Sequence, residues 1–399
     1  MASAVVEAKV GYEVMQIALQ SHVLRWARER AGLTEEMLAK KVGTKPERVA
    51  DWERTGQLKF TQAQKLAKAT YTPFGYLYLQ SPPDDRLPIP DFRTVGGAAI
   101  RRPSPNLIDV LDDAMQRQDW FRDYLIAYGE QPFQFVGSLP ITTPIAEAAA
   151  RVRQVVPFGV AARAEARTWE EALTVQIEQI ESSGILVMRS GIVRNNTHRP
   201  LSVEEFRGFA LVDQYAPLIF INGRDALAAQ MFTLAHELVH IWAGVSGVSN
   251  LENTYPVDRA EERFCNQVAA ELLVPEVELR QQWLEARRQA QPVAWLLRQF
   301  KVSALVVLRR LNDLAFIDSD TFRRLYREEE ERFRAVAAER AGGGDFYRTQ
   351  RTRSGRRFAR ALIESTLEGR TPYRDALRLL GMSKVGAFDE FARQLNFAV

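Results

Sequence analysis

Four histidines occur among the 399 residues, and two of them fall in one short stretch, FTLAHELVHIW over residues 232–242. On a helix a four-residue step turns about 400°, so His236 and His240 project from one face, a turn apart, and both imidazoles can reach a single ion. Glu237 points about 100° round the helix. That makes it a poor third ligand and a good neighbour for a water held on the same ion. The chemistry expected of such an HExxH pattern is two zinc ligands and one carboxylate that takes a proton from the bound water.

A hydrolytic zinc needs a third protein ligand and an open position. In AEERFCNQVAAELLVP, Glu262 heads a helical stripe continued by Cys265, Ala269 and Leu272 or Leu273. A carboxylate on an otherwise apolar stripe is costly to bury unless it is paired or ligates a metal, so Glu262 is the expected third ligand. Glu261 projects from a different face and Glu271 belongs to the far end of the helix. A closed structural site with Cys265 as a fourth ligand would leave Glu237 without a role, and a lone cysteine on an apolar stripe is usually a small buried hydrophobe. For the oxyanion of a tetrahedral intermediate, or for substrate contact, the candidates are His198, Tyr215, Tyr255 and Arg194, which sequence does not rank. APLIFIN, just before the motif, reads either as a sheet edge to which an extended substrate adds or as a core strand.

Elements that position these residues are marked by a change of period. GILVMRSGIV, RGFALVD and APLIFIN are short β-rich runs, so residues 184–222 are predicted to form three strands of one sheet. The helices bearing His236 and Glu262 follow directly. Upstream, WEEALTVQIEQIESSG is a helix stopping at Gly184, and Leu107–Tyr128 is amphipathic. SPPDDRLPIPDFR carries four prolines, which force an extended course and mark a boundary. Before it, residues 22–70 read as short helices with Thr34 and Thr61 as N-caps. In a helix-turn-helix, TEEMLAKKVG would cross a DNA backbone and KPERVADWE would enter the major groove. Lys45, Glu47, Arg48 and Asp51 would then face bases, and Lys40 and Lys41 phosphates. The same pattern also serves in protein docking.

Composition narrows the classes. A single cysteine excludes an internal disulfide, and the net charge of +3 is too small to imply nucleic-acid binding by the chain as a whole. Residues 21–70 hold 11 Lys/Arg against 6 Asp/Glu, so the basic excess is local. No run approaches the roughly 20 apolar residues of a membrane span and no secretory signal is evident, so a cytoplasmic address is expected. Near the C-terminus, RTQRTRSGRRFAR packs six arginines without an acid. It reads as a solvated helix face or, more sharply, as a binding patch. FKVSALVVLRRLNDLAFID has a helical rhythm with Ser303 as cap.

With these residues in hand the chain resembles the bacterial ImmA/IrrE-type zinc metallopeptidases, in the longer form with an N-terminal XRE-type helix-turn-helix. The markers are LRWARERAGLTEEMLAKKVGTKPERVADWE with TPFGYLYLQSPPDD and DFR, HRPLSVEEFRGFALVDQYAPLIFIN, AHELVHIWAG with SGVSN, ERFCNQVAAELLVP, and GGGDFYRTQ with SGRRFARAL. Val268 and Val274 stand where such proteins often carry Phe and Met. The resemblance implies a gluzincin-like, zincin-type core, Glu262 as third ligand, and cleavage of a repressor that relieves repression under stress or DNA damage. The expected fold class is α+β and mostly helical. Expected domains are a helix-turn-helix bundle (1–80), a proline-rich linker and helical connector (81–168), the peptidase core with a small sheet (169–285) and a helical C-terminal domain (286–399). Two functions follow: a zinc endopeptidase acting on a repressor or antitoxin-like protein, or a non-cleaving DNA-binding regulator that uses the same fold as a sensor. Partners are a protein substrate and double-stranded DNA, with no membrane. The chain is expected as a monomer or a dimer, because helix-turn-helix modules pair on half-sites yet no coiled coil demands it.

Overall fold

The computed structural model describes residues 15–84, 86–92, 102–157, 159–249, 260–337 and 346–398. It contains two compact units, Met1–Pro88 with Arg101–Asp109, and Ile89–Ile100 with Val110–Val399.

In the first unit a two-stranded antiparallel ribbon, β1 (Gln16–Ala18) with β2 (Gln57–Lys59), joins four helices, α1 (Ser21–Arg30), α2 (Glu35–Val42), α3 (Pro46–Thr55) and α4 (Phe60–Thr70). Thr34 caps α2 by accepting from the Met37 N–H at 3.2 Å, and Gly43, at φ 73°, stops it. Thr61 does not cap α4. That helix begins at Phe60, where the ribbon delivers it, and the Gln62 side chain accepts from the Lys59 N–H at 3.0 Å. Leu24, Ala27, Leu38, Val49, Trp52 and Leu66 meet in one core. Beside it, buried Glu53 of α3 holds Arg28 of α1 in a two-pronged pair at 2.6 and 2.8 Å. This pair ties α1 to α3.

The second unit is built on a five-stranded mixed sheet in the order β3-β7-β5-β6-β4, from β3 (Asp91–Phe92), β4 (Leu186–Ser190), β5 (Gly208–Leu211), β6 (Leu218–Asn222) and β7 (Gly247–Ser249). The three strands expected from sequence are β4, β5 and β6. β6 lies inside the sheet, parallel to β4 and antiparallel to β5, so APLIFIN is a core strand and not an edge. Its five residues are all buried, as a strand covered on both faces requires.

Around the sheet lie α5 (Pro105–Ala127), α6 (Ile145–Val155), α7 (Val160–Glu165), α8 (Trp169–Ser182), α9 (Leu227–Ala243), α10 (Ala260–Leu273), α11 (Glu276–Ala286), α12 (Pro292–Phe300), α13 (Ala304–Asp313), α14 (Ser319–Ala337), α15 (Phe346–Ser354), α16 (Arg356–Leu367), α17 (Tyr373–Leu380) and α18 (Val385–Gln394). The main core takes Val187, Ala210, Ile219 and Ile221 from the strands and Met231, Ala235, Leu238 and Trp242 from α9. From α5, Gln118 donates to the carbonyls of Leu211 and Ala216 at 2.9 and 2.8 Å, and Arg117 donates to the Leu379 carbonyl at 2.9 Å. Ser303 caps α13, as its position suggested. No helix among the described residues is long and apolar enough to cross a membrane.

The C-terminal arginine run is solvated only in part: Arg351, Arg356 and Arg360 are exposed, and several of its side chains are tied into the fold. Arg353 donates to Asn195 at 2.7 Å, Arg357 lies over the Phe121 ring, and Arg360 donates to the Leu395 carbonyl at 2.9 Å. These guanidiniums tie α15 and α16 to their neighbours through carbonyls and rings that a sequence pattern does not display.

Candidate metal centre

Helix α9 is apolar on nearly every side and lies between the sheet and α10, so both histidines enter the interior with it. Its end is set by Gly244 at φ 75°, where the chain turns back. Its last carbonyls are not left bare: the Gly137 N–H bonds Ile241 at 3.0 Å and the Leu139 N–H bonds Trp242 at 2.9 Å. Helix α10 is held in a similar way. Arg153 donates to the Glu271 carbonyl, Arg163 to Leu273 (both 2.6 Å) and Arg310 to Val274 at 3.0 Å, while Arg310 also pairs with the Glu271 carboxylate. Three largely buried guanidiniums thus fix the carboxyl end of the helix whose first turn carries Glu262.

His236, His240 and Glu262 converge as one buried group. The two Nε2 atoms are 2.9 Å apart, His236 Nε2 lies 3.3 Å from one Glu262 oxygen, and His240 Nε2 lies 3.0 Å from the other. Ligand atoms on a tetrahedral ion at about 2.0–2.1 Å sit roughly 3.3 Å from one another. The triangle therefore fits a zinc-sized ion with little movement, and the donor set of two imidazoles and a carboxylate suits zinc. Electrostatics agree. Burial lowers the His236 pKa, whereas at His240 the same penalty is outweighed by Cys265, Glu262 and Glu237, which hold its pKa up. Burial also opposes the Glu262 charge, yet the two histidines outweigh it and keep its carboxyl well below the usual range. Without metal the Glu262 charge is met by a proton on the histidines, and a bound metal would take that proton's place.

Glu237 is fully buried, and burial pushes its pKa up to about 8 despite the opposing pull of His240. The Ser249 hydroxyl on β7 faces it, but neither carboxylate oxygen has a well-formed hydrogen bond. On the other side stands Gly208, the first residue of β5. A Cβ there would lie 2.6 Å from Thr233 Cγ2, 2.9 Å from the Phe220 carbonyl and 3.2 Å from Glu237 Cγ. Only a residue without a side chain lets α9 bring Glu237 this close to the sheet.

Of the sequence candidates, the structure thus gathers His236, Glu237, His240 and Glu262. Arg194, at φ 51°, is engaged elsewhere and forks onto Asp113 at 2.9–3.1 Å. His198 is exposed in a turn held by Asn196, and Tyr215 is half-buried in a turn held by Asp213. Tyr255 lies outside the described residues. Cys265, expected as mere apolar filler, lies against His240, and the Asn266 side chain lies beside His236. Both sit one turn beyond Glu262 on α10, a position that sequence could have offered as support for the ligands. Gly208 was also legible in principle, since an isolated glycine within a strand signals a close approach.

In the N-terminal unit Lys40, Lys41, Lys45, Glu47 and Arg48 are exposed along α2 and α3. Asp51 is already paired, accepting from Arg48 at 3.2 Å and from Arg54 at 2.6 Å. Arg54, which the sequence reading passed over, belongs to the same exposed face.

Family models place these two regions. Residues 24–77 match a helix-turn-helix and residues 180–312 match the IrrE N-terminal-like domain, a peptidase model whose span includes His236, Glu237, His240 and Glu262. Residues 354–394 match a domain of unknown function. No curated protein matches the chain.

Proposed function

We propose that this chain, which carries a helix-turn-helix followed by an IrrE-like peptidase domain, is a zinc-dependent endopeptidase that cuts one protein partner, a repressor or an antitoxin-like regulator. His236, His240 and Glu262 would hold the metal. Zinc bound there supplies Lewis acidity toward a peptide carbonyl and makes a water acidic near neutral pH. Glu237 is the general base: it takes the proton of the attacking water and returns it to the departing amine. Gly208 lets it approach the sheet this closely. The helix-turn-helix brings the enzyme to its DNA or its protein target, with Lys40, Lys41, Lys45, Glu47 and Arg48 as the contact face.

The observation that carries this reading is the fully buried Glu237 carboxylate beside a three-ligand cluster. A binding module gains nothing from a carboxylate that costs desolvation and makes no well-formed hydrogen bond. Coexpression with the product of the neighbouring gene, comparing wild type with Glu237→Gln, tests it. Cleavage in wild type alone is the expected result. Absence of cleavage in both, with DNA or the partner protein still bound, would establish the non-cleaving regulator instead.

A further inference from the structure

On the β4 side of the sheet the second unit has an open cavity of about 370 Å³ between α8, β4 and the helices α15, α16 and α18. Its size falls within the range of small-molecule sites. One wall is apolar, from Ile177, Val187, Phe391 and Leu395. The polar lining sets Arg189, Arg351 and Arg356 beside Glu170, Glu178 and Glu181.

Arg189 is the informative one. It rises from β4, is partly buried, and that burial lowers its pKa against the opposing pull of Glu170. Its side chain makes no hydrogen bond or ion pair with the described residues. Its guanidinium is not sealed from solvent; it faces the open cavity without a protein anion bonded to it, which leaves its donors free for an oxyanion. Arg117, Arg153, Arg163 and Arg310, by contrast, each donate to a backbone carbonyl. Arg351 and Arg356 at the mouth are half in solvent, and they share Glu178 only loosely at 3.6 and 3.8 Å. Glu181 also lines the cavity, but burial raises its pKa to about 7. Near neutral pH its charge is therefore partial. The first turn of α16 is already served by Glu181, which accepts from the Arg357 N–H at 3.1 Å. The helix end is thus not what awaits a ligand. Gly355, at φ 74°, forms the floor, where a Cβ would lie 2.7 Å from the Val187 carbonyl.

From this arrangement we infer that the cavity binds a small organic anion, its oxyanion head on Arg189, Arg351 and Arg356 and its apolar body against Ile177, Val187 and Phe391. The site joins residues of the peptidase-like span, Val187 and Arg189, to residues of the span matched as a domain of unknown function, Arg356 and Phe391. Binding this ligand is accordingly a role for that C-terminal segment.

Phenyl phosphate and inorganic phosphate serve as probes, with sodium chloride at matched ionic strength as control, read by thermal shift and calorimetric titration on the whole chain. Phenyl phosphate is expected to bind saturably and about tenfold or more tighter than inorganic phosphate, since burying its ring adds more than 1.4 kcal/mol. Arg189→Gln is expected to abolish binding while leaving the ligand-free melting temperature unchanged or higher, because no internal partner is lost. The fully surface-compatible Arg351→Gln is expected to weaken binding about tenfold. A shift that sodium chloride reproduces, binding that survives Arg189→Gln, or a lower ligand-free melting temperature in that variant would each overturn the inference.

Discussion

Gly208→Ala is a one-carbon test of how the centre is assembled. The added carbon would meet Thr233 Cγ2 at 2.6 Å, the Phe220 carbonyl at 2.9 Å and Glu237 Cγ at 3.2 Å. Two of these belong to α9 and one to β6, so relief requires α9 to move off the sheet. Overpacking of this kind costs about 1–3 kcal/mol. The substitution also stiffens the unfolded chain, which stabilises by about 0.4–1 kcal/mol. The net expectation is a loss of roughly 1–2 kcal/mol in urea unfolding, from the difference of these two effects. Gly386→Ala is the matched control. Gly386 lies in α18 with nothing within 4 Å of its ideal Cβ, so alanine there is expected to stabilise by about 0.5–1 kcal/mol. Because His236, His240 and Glu237 all ride on α9 while Glu262 sits on α10, a shift of α9 opens the ligand triangle, and Gly208→Ala is expected to weaken zinc binding and cleavage together. Equal or greater stability in Gly208→Ala, or unchanged cleavage, would refute the claim that a bare backbone at this point sets Glu237.

Three further outcomes are expected. Purified chain should carry about one zinc, and His236→Ala or Glu262→Ala should lose it by elemental analysis; chelation of the wild type should lower its stability by about 4 kcal/mol if zinc had been present at a thousand times its dissociation constant. Glu53→Ala strands Arg28, which is only 12% exposed, and should destabilise the N-terminal unit by about 3 kcal/mol in chemical denaturation. For Glu181 the folded pKa of about 7 exceeds the ordinary 4.5, so the folded chain binds the extra proton and stability falls as pH rises through that window. Between pH 5 and 8 the wild type should lose ~2–3 kcal/mol relative to Glu181→Gln in urea titrations, and a difference independent of pH would remove Glu181 as the cause.

Much of the centre was readable one residue at a time. A four-residue step on a helix puts His236 and His240 together whatever surrounds them, and Glu262 stood out as a charge on an apolar stripe. Thr34 and Ser303 capped where their hydroxyls allowed, and the three β-rich runs became strands. These are local properties, set by periodicity and by hydrogen bonds spanning three or four residues. Other features depend on partners distant in the chain. β3 and β7, two and three residues long, exist only because neighbouring strands supply their hydrogen bonds. Thr61 lost its expected cap because β2 starts α4 earlier, and APLIFIN was taken into the sheet interior because β4, far upstream, pairs with it.

The residue types and spacings by themselves determined which atoms can bind a cation, since ligand identity and helical pitch are properties of short segments. Tertiary structure alone decided that Glu262 meets the two histidines at 3.0 and 3.3 Å, that Gly208 presses against Glu237, and that Arg189 opens into a cavity. Each of these is a contact between segments separated in sequence, fixed by how whole elements pack, and no local pattern encodes that.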